Sequence, residues 1–114
     1  SWAGRHPSRL TGPAYSASKH AVVALSHSIN QDEGVNGIRC TALMPGEVAT
    51  PIMLSRPKPP STEDLTKMLQ ANDLGAMVRY IAEAPAHVCI NEVLISPTWN
   101  RAFVGVAEMG GMKL

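Results

Sequence analysis

A tyrosine and a lysine stand four positions apart in the segment Tyr15-Ser16-Ala17-Ser18-Lys19. On a helix, residues with this spacing lie on one face, one turn apart, so the ammonium can approach the phenol oxygen. A nearby positive charge favours the phenolate over the phenol and brings proton transfer within reach at neutral pH. The pair is therefore a candidate for acid–base chemistry. Its composition alone also allows a plain contact on a solvated helix surface.

A helix over residues 14–30 is predicted to position this pair. Apolar residues recur there at spacings of three and four, and Pro13 suits a first helical turn. Gly34 and the turn Asn36-Gly37 predict its end. Residues 1–13 mix Gly, Pro and Ser without an apolar period, which predicts a loop before the helix.

Two short strands are predicted further along, at residues 38–44 and 88–95. Between them, Ser61 caps one predicted helix and a second covers residues 73–84, whereas the prolines of residues 47–61 predict a mobile loop. Alternating strands and helices indicate an α/β fold with a parallel sheet. Since two parallel strands cannot cover their own faces and edges, we expect the sheet to be incomplete.

Composition excludes several classes of protein. The chain has 114 residues and 12.2 kDa, which suits one domain. Its net charge of +1 offers no basic field for nucleic acid, and it contains no apolar run of the roughly 20 residues that a membrane span needs. Cys40 and Cys89 are expected to be reduced, small buried residues on the two strands. His20 and His27 are too far apart for one zinc ion and are expected to be solvated, so no metal site is expected.

Four segments occur in a fixed order: Ser1-Trp2-Ala3-Gly4, residues 14–22 around the Tyr-Lys pair, Pro45-Gly46-Glu47-Val48-Ala49-Thr50-Pro51, and residues 90–98. Together they resemble the C-terminal half of the short-chain dehydrogenases/reductases (SDRs), over nearly the whole chain. The resemblance implies a single partial domain over residues 1–114. This would be the C-terminal portion of a doubly wound, Rossmann-like parallel sheet, with two strands, about three helices and a partly disordered tail at 99–114.

The resemblance also implies catalytic roles. Tyr15 would be the acid or base at the substrate oxygen, and Lys19 would make that tyrosine more acidic and hold the nicotinamide ribose. Ser1 would hydrogen-bond the substrate oxygen. Ser1 precedes Tyr15 by fourteen positions, about one more than is usual in the family, so residues 5–13 are expected to bulge.

The cofactor implied is NAD or NADP. Tyr15, Lys19 and the turn after the first strand would bind it, the turn through Pro45, Gly46, Val48 and Thr50. The alternative that Pro45-Gly46 only terminates a strand stays open. Residues 51–61 would then form a lid over the substrate.

The function implied is a cytoplasmic NAD(P)-dependent oxidoreductase that interconverts an alcohol and a carbonyl. The 14–30 helix would pair with a second copy in a homo-oligomer. No glycine-rich phosphate loop is present in the sequence, so we expect a fragment that is inactive by itself. The alternative function is a non-catalytic association module that packs through the same helix.

Overall fold

The computed structural model describes residues 1–101 and Phe103. Its helices and strands are α1 (Pro13–Glu33), β1 (Ala42–Pro45), α2 (Thr62–Lys67), α3 (Ala71–Glu83) and β2 (Glu92–Ile95). Short 3₁₀ turns occupy Trp2–Gly4, Gly34–Asn36 and Pro51–Ser55. The predicted α/β class is confirmed. The predicted disorder of the 99–114 tail falls mostly on residues outside the described part.

The two strands pair in parallel, with the register running from Ala42 opposite Glu92 to Pro45 opposite Ile95. Helices α2 and α3 lie in the crossover between them, as a parallel connection requires. Ser61 caps α2 as predicted, because its hydroxyl accepts a hydrogen bond from the Asp64 amide at 3.0 Å.

Both strands begin about four residues later than predicted, and side chains explain the difference before β1. The Asn30 side chain of α1 forms two hydrogen bonds with the main chain of Cys40. Its Oδ1 accepts one from the Cys40 amide at 2.7 Å, and its Nδ2 donates one to the Cys40 carbonyl at 2.9 Å. A backbone pair held in this way is not free to join a β ladder. Pro45 is the last residue of β1, whereas the sequence pattern placed it after the strand.

The core of the described residues lies where α1 crosses β1. Val23 of α1 packs with Ala42 and Met44 of β1, and Met44 is only 2% exposed. Ser16 and Ser26 on the same helix are also buried, and small side chains at such positions let a helix approach a strand closely.

A groove of about 400 Å³, here the α1–β1 groove, runs beside this core. Val22, Leu25 and Leu43 contribute to its lining, and Val22 and Leu25 are 58% and 60% exposed. Within the described ranges, β1 pairs with β2 alone. One edge of β1 therefore stays without a neighbouring strand, as expected for an incomplete sheet.

Two expectations about side chains are wrong. Cys40 and Cys89 precede the strands and are half-buried rather than core residues. His20 is exposed as expected, with its Nδ1 2.8 Å from the Ser16 carbonyl oxygen, whereas His27 is half-buried, with its Nε2 2.7 Å from Oε2 of Glu92.

Among residues 1–101 and 103, no group of three or more His, Cys, Asp or Glu side chains could hold a metal ion. None of the helices described is both long and apolar enough to cross a membrane.

Arg39 ties the approach to β1 to the end of α3. Its Nη1 lies 3.0, 2.9 and 2.8 Å from the carbonyl oxygens of Ala84, Pro85 and Val88. These carbonyls follow the last turn of α3, where main-chain oxygens lack helical partners. The charged guanidinium satisfies them together.

Replacing Arg39 with Met is expected to lower the free energy of unfolding by about 1 kcal/mol, because the exposed carbonyls lose a charged donor but gain water. Urea unfolding followed by circular dichroism measures the change. Arg56→Met is the matched control, since Arg56 is equally exposed and its side chain has no partner in the described ranges. Equal unfolding midpoints for the two variants would contradict the role given to Arg39.

Candidate active site

Tyr15 and Lys19 lie in the first two turns of α1. Gly12 precedes the helix with φ of 84°, a left-handed conformation that suits glycine, and Pro13 occupies the first helical position. Nζ of Lys19 lies 5.3 Å from the centroid of the Tyr15 ring, so the two side chains share one face as their spacing predicts. The ammonium sits over the ring, and the long lysine stem leaves it free to turn towards the phenol oxygen.

The Tyr15 side chain is open to solvent on one side, with 39% of the residue exposed. Among the described residues, the Tyr15 hydroxyl makes no hydrogen bond and the Lys19 ammonium makes no hydrogen bond or ion pair. A phenol and an amine in this state are available to an incoming ligand.

Ser1 comes to the same helix through the 3₁₀ turn Trp2–Gly4. Ser1 and Lys19 both line the α1–β1 groove. Oγ of Ser1 accepts a hydrogen bond from the Ala3 amide at 3.2 Å, which orients the hydroxyl oxygen.

Gly4 makes this approach possible. A Cβ at Gly4 would lie 3.0 Å from Cγ2 of Val23, 3.3 Å from the Lys19 carbonyl oxygen and 3.4 Å from Sδ of Met44. An added side chain would therefore be tighter than ordinary van der Waals contact and would require the neighbouring atoms to shift. The sequence pattern used Gly4 only as part of a motif. The structure shows that its missing side chain brings Ser1 beside Lys19.

Residues 5–12, between the Trp2–Gly4 turn and α1, form a loop, and the Ser16 side chain anchors it; the expected loop over residues 1–13 thus includes a 3₁₀ turn. The buried Ser16 hydroxyl accepts a hydrogen bond from the Ser8 amide at 3.1 Å, and the Gly12 amide donates to the Ser8 carbonyl at 3.1 Å. Sequence reasoning missed Ser16 as an anchor. Its position beside Tyr15, on the buried side of the helix start, is the signal that could have found it.

Pro45 and Gly46 end β1 against the end of β2. The Gly46 amide donates to the Ile95 carbonyl at 2.7 Å, and a Cβ at Gly46 would lie 3.2 Å from both Cδ of Pro97 and Cβ of Ser96. Gly46 therefore has a structural role, close approach of the two strand ends. That role is compatible with a ligand on its other side.

Residues 45–50, here the corner segment, are more ordered than a plain loop. Val48 forms a parallel bridge with Leu69, and the Ala49 amide donates to the Leu69 carbonyl at 2.8 Å. The 3₁₀ turn Pro51–Ser55 follows, a short regular element within the segment 47–61 that the prolines predict as a loop. The Thr50 hydroxyl makes no hydrogen bond within the described ranges.

The structure thus forms two groups of candidate residues. In the first group, Lys19 lies over the Tyr15 ring and lines the α1–β1 groove together with Ser1, whereas Tyr15 does not line that groove. The corner segment lies at the carboxyl end of β1, directly after Met44, which lines the same groove as Ser1 and Lys19. Val48 and Thr50 do not line that groove. The carboxyl end of a parallel strand is where open α/β sheets bind ligands.

This arrangement, parallel strands joined through helices with a Tyr-Lys pair at a helix start, is that of the C-terminal part of a Rossmann-type α/β domain. The family model for short chain dehydrogenases matches residues 1–60, more than half of the chain. The chain belongs to the short chain dehydrogenase family.

Curated relatives agree with this membership. The chain is 33% identical over 91 residues to dehydrogenase/reductase SDR family member 11 of Homo sapiens, covering 74% of this chain and 35% of the relative. An uncharacterized oxidoreductase of Staphylococcus epidermidis is 32% identical over 91 residues, covering 76% and 36%. The chain therefore spans about a third of the length of the relatives that it matches.

A solved structure supports the fold. The crystal structure of a betaketoacyl-ACP reductase from Bacteroides thetaiotaomicron matches with a TM-score of 0.65 and 27% identity. The match covers 74% of this chain and 36% of that one.

Gly4→Val is expected to destabilise the fold by about 1–3 kcal/mol, because the new side chain overpacks the contact between the Trp2–Gly4 turn and α1. Gly75→Ala is the matched control: Gly75 lies inside α3 with nothing within 4 Å of an added Cβ, so Ala should stabilise by roughly 0.5–1 kcal/mol. Urea midpoints of both variants test the contact. A Gly4→Val midpoint at or above that of the original chain would show that the turn does not pack as described.

Proposed function

We propose that this chain is the catalytic C-terminal part of an NAD(P)-dependent oxidoreductase that interconverts an alcohol and a carbonyl. The observation that carries the proposal is the Lys19 ammonium 5.3 Å from the centroid of the Tyr15 ring, on one face at the start of α1. The oxidoreductase names of the relatives support it. The same proposal places the protein in the cytoplasm.

Each residue has a task in the reduction of a carbonyl. Tyr15 donates its phenolic proton to the carbonyl oxygen, and the Ser1 hydroxyl donates a hydrogen bond to the same oxygen as it becomes negative. The positive charge of Lys19 stabilises the phenolate that remains. When bound, the nicotinamide supplies the hydride to the carbonyl carbon. In the oxidation direction Tyr15 takes the proton from the alcohol.

The donor set fits a nicotinamide dinucleotide. Lys19 offers an ammonium, and Tyr15 and Thr50 offer hydroxyls, with no hydrogen-bonding partner for any of these groups within residues 1–101 and 103. Ribose hydroxyls and phosphate oxygens accept hydrogen bonds from such donors. Lys19 and Tyr15 would hold the nicotinamide ribose, and Pro45, Gly46, Val48 and Thr50 would line the nicotinamide and its phosphate.

The phosphate-binding half of the site would come from polypeptide outside these 114 residues. Two observations support this part of the proposal. The chain spans about a third of the length of its relatives. The α1–β1 groove, with exposed Val22 and Leu25 beside the unpaired edge of β1, offers an apolar surface that a further strand would cover.

Tyr15→Phe in the full-length protein is expected to lower the rate of carbonyl reduction by about 100-fold or more, because the proton donor is lost while the ring stays. Tyr80→Phe is the matched control, since Tyr80 lies on α3 and is 70% exposed. Steady-state oxidation of NADH or NADPH with a panel of ketones and aldehydes measures the rates. A Tyr15→Phe variant that keeps most of its activity would overturn the catalytic assignment.

A second candidate function is association through α1. The residues Ala14, Ala17, Ala21, Ala24 and Ser28 are all exposed on this helix and follow one another at spacings of three and four. A stripe of small side chains allows a second helix to approach closely. Such pairing is compatible with catalysis and could also be the sole activity of a chain without its nucleotide loop.

Ala24→Arg is expected to shift the protein towards smaller species, because a long charged side chain cannot lie in a close helix contact. Ala82→Arg provides the comparison, since Ala82 is exposed on α3. Sedimentation velocity of both variants reports the assembly. The helix contact is excluded if Ala24→Arg and Ala82→Arg sediment alike.

A further inference from the structure

Glu47, the residue after the Pro-Gly turn, forms a two-point ion pair with Arg101. Nε of Arg101 lies 2.6 Å from Oε1 of Glu47, and Nη2 lies 2.5 Å from Oε2. Both side chains are shielded, with 16% of Arg101 and 29% of Glu47 exposed. The hydrogen bond to Glu47 is the largest of the effects that raise the pKa of Arg101, so the guanidinium stays charged.

The exposed pairs of this chain are different in kind. Arg79 and Glu83, one turn apart on α3, meet at a single contact of 2.9 Å and are 79% and 65% exposed. Pairs of that sort contribute little to stability. A partly shielded ion pair with two parallel hydrogen bonds is stronger than an exposed single contact, and it fixes the relative orientation of the two side chains. Removal of one partner leaves the other, partly buried charge unpaired.

The main chain around Glu47 is held from the opposite side as well. The Leu69 amide donates to the Glu47 carbonyl at 3.1 Å, and the Ala49 amide donates to the Leu69 carbonyl at 2.8 Å. Leu69 itself is buried. The corner segment is thus clamped between the Leu69 main chain and the Arg101 side chain.

The segment that carries Arg101 has its own attachment. Trp99 lies beneath Lys67 of α2, and Nζ of Lys67 is 4.6 Å from the centroid of the Trp99 ring. Asp64 of α2 adds a smaller favourable charge effect at Arg101. Trp99 and Arg101 thus both interact with α2, Trp99 through Lys67 and Arg101 through the charge of Asp64.

We propose that Arg101 is a positioning residue, which holds Glu47 so that Val48 and Thr50 are ordered before the nicotinamide binds. This inference rests on the proposed function, since it assigns the corner segment to the cofactor. Its physical basis is that an already ordered segment does not have to lose freedom on binding. If loss of the pair leaves the segment in its binding arrangement about a tenth of the time, apparent affinity falls about tenfold.

The test uses Arg101→Met and Glu47→Gln in the full-length protein. Both are expected to raise the dissociation constant for NADH or NADPH about tenfold by fluorescence titration and to raise KM for the cofactor similarly, with kcat changed by less than about threefold. Amide hydrogen exchange in a peptide covering residues 46–50 should become faster. Arg101→Lys keeps the charge but not the two-point geometry, so its dissociation constant for the cofactor should lie between those of the original protein and Arg101→Met.

Arg79→Met, which breaks the exposed pair with Glu83, is the matched control and should change none of these quantities. The inference is overturned if Arg101→Met binds the cofactor as tightly as the original protein, or if exchange over residues 46–50 does not change. Those results leave the proposed function standing. Retained activity in Tyr15→Phe overturns only the catalytic assignment of Tyr15. A full-length protein that binds neither NADH nor NADPH overturns both the proposed function and the role given to Arg101.

Discussion

The contact between the Trp2–Gly4 turn and α1 is the constraint on which the candidate site depends. Gly4 lies so close to Val23, Met44 and the main chain of Lys19 that an added side chain would force its neighbours to shift. This contact sets the distance between Ser1 and Lys19, and Lys19 in turn meets Tyr15 through the pitch of the helix. Lys19 thus lies over Tyr15, one helical turn away, and lines one groove with Ser1.

The same contact links the site to the small core. Val23 and Met44, which Gly4 touches, pack with Ala42 where α1 crosses β1. Beyond that cluster the described residues have little buried apolar surface, and the apolar side chains of the α1–β1 groove stay open. The candidate site therefore lies on a scaffold whose α1–β1 groove is open to solvent in this chain. A further strand on the free edge of β1 would cover that groove.

Local sequence patterns predicted the features that depend on residues close together in the chain, which are the helices and the face shared by Tyr15 and Lys19. Apolar spacing, Ser61 and the glycines after α1 gave the three helices to within a few residues, and the face shared by Tyr15 and Lys19 follows from their separation alone. The predicted start of β1 was wrong because Asn30 hydrogen-bonds the main-chain groups of Cys40, a contact ten residues apart that periodicity does not reveal. The pair of Glu47 and Arg101 spans 54 positions, so no local pattern could indicate it.

The most direct measurement of the central claim is a crystal structure of the full-length protein with a nicotinamide cofactor and a carbonyl compound bound. The account predicts the carbonyl oxygen within hydrogen-bonding distance, about 2.6–3.2 Å, of both the Tyr15 and the Ser1 hydroxyls, with Lys19 at the ribose. A carbonyl compound bound elsewhere, with the Tyr15 hydroxyl covered by another part of the protein, would contradict it.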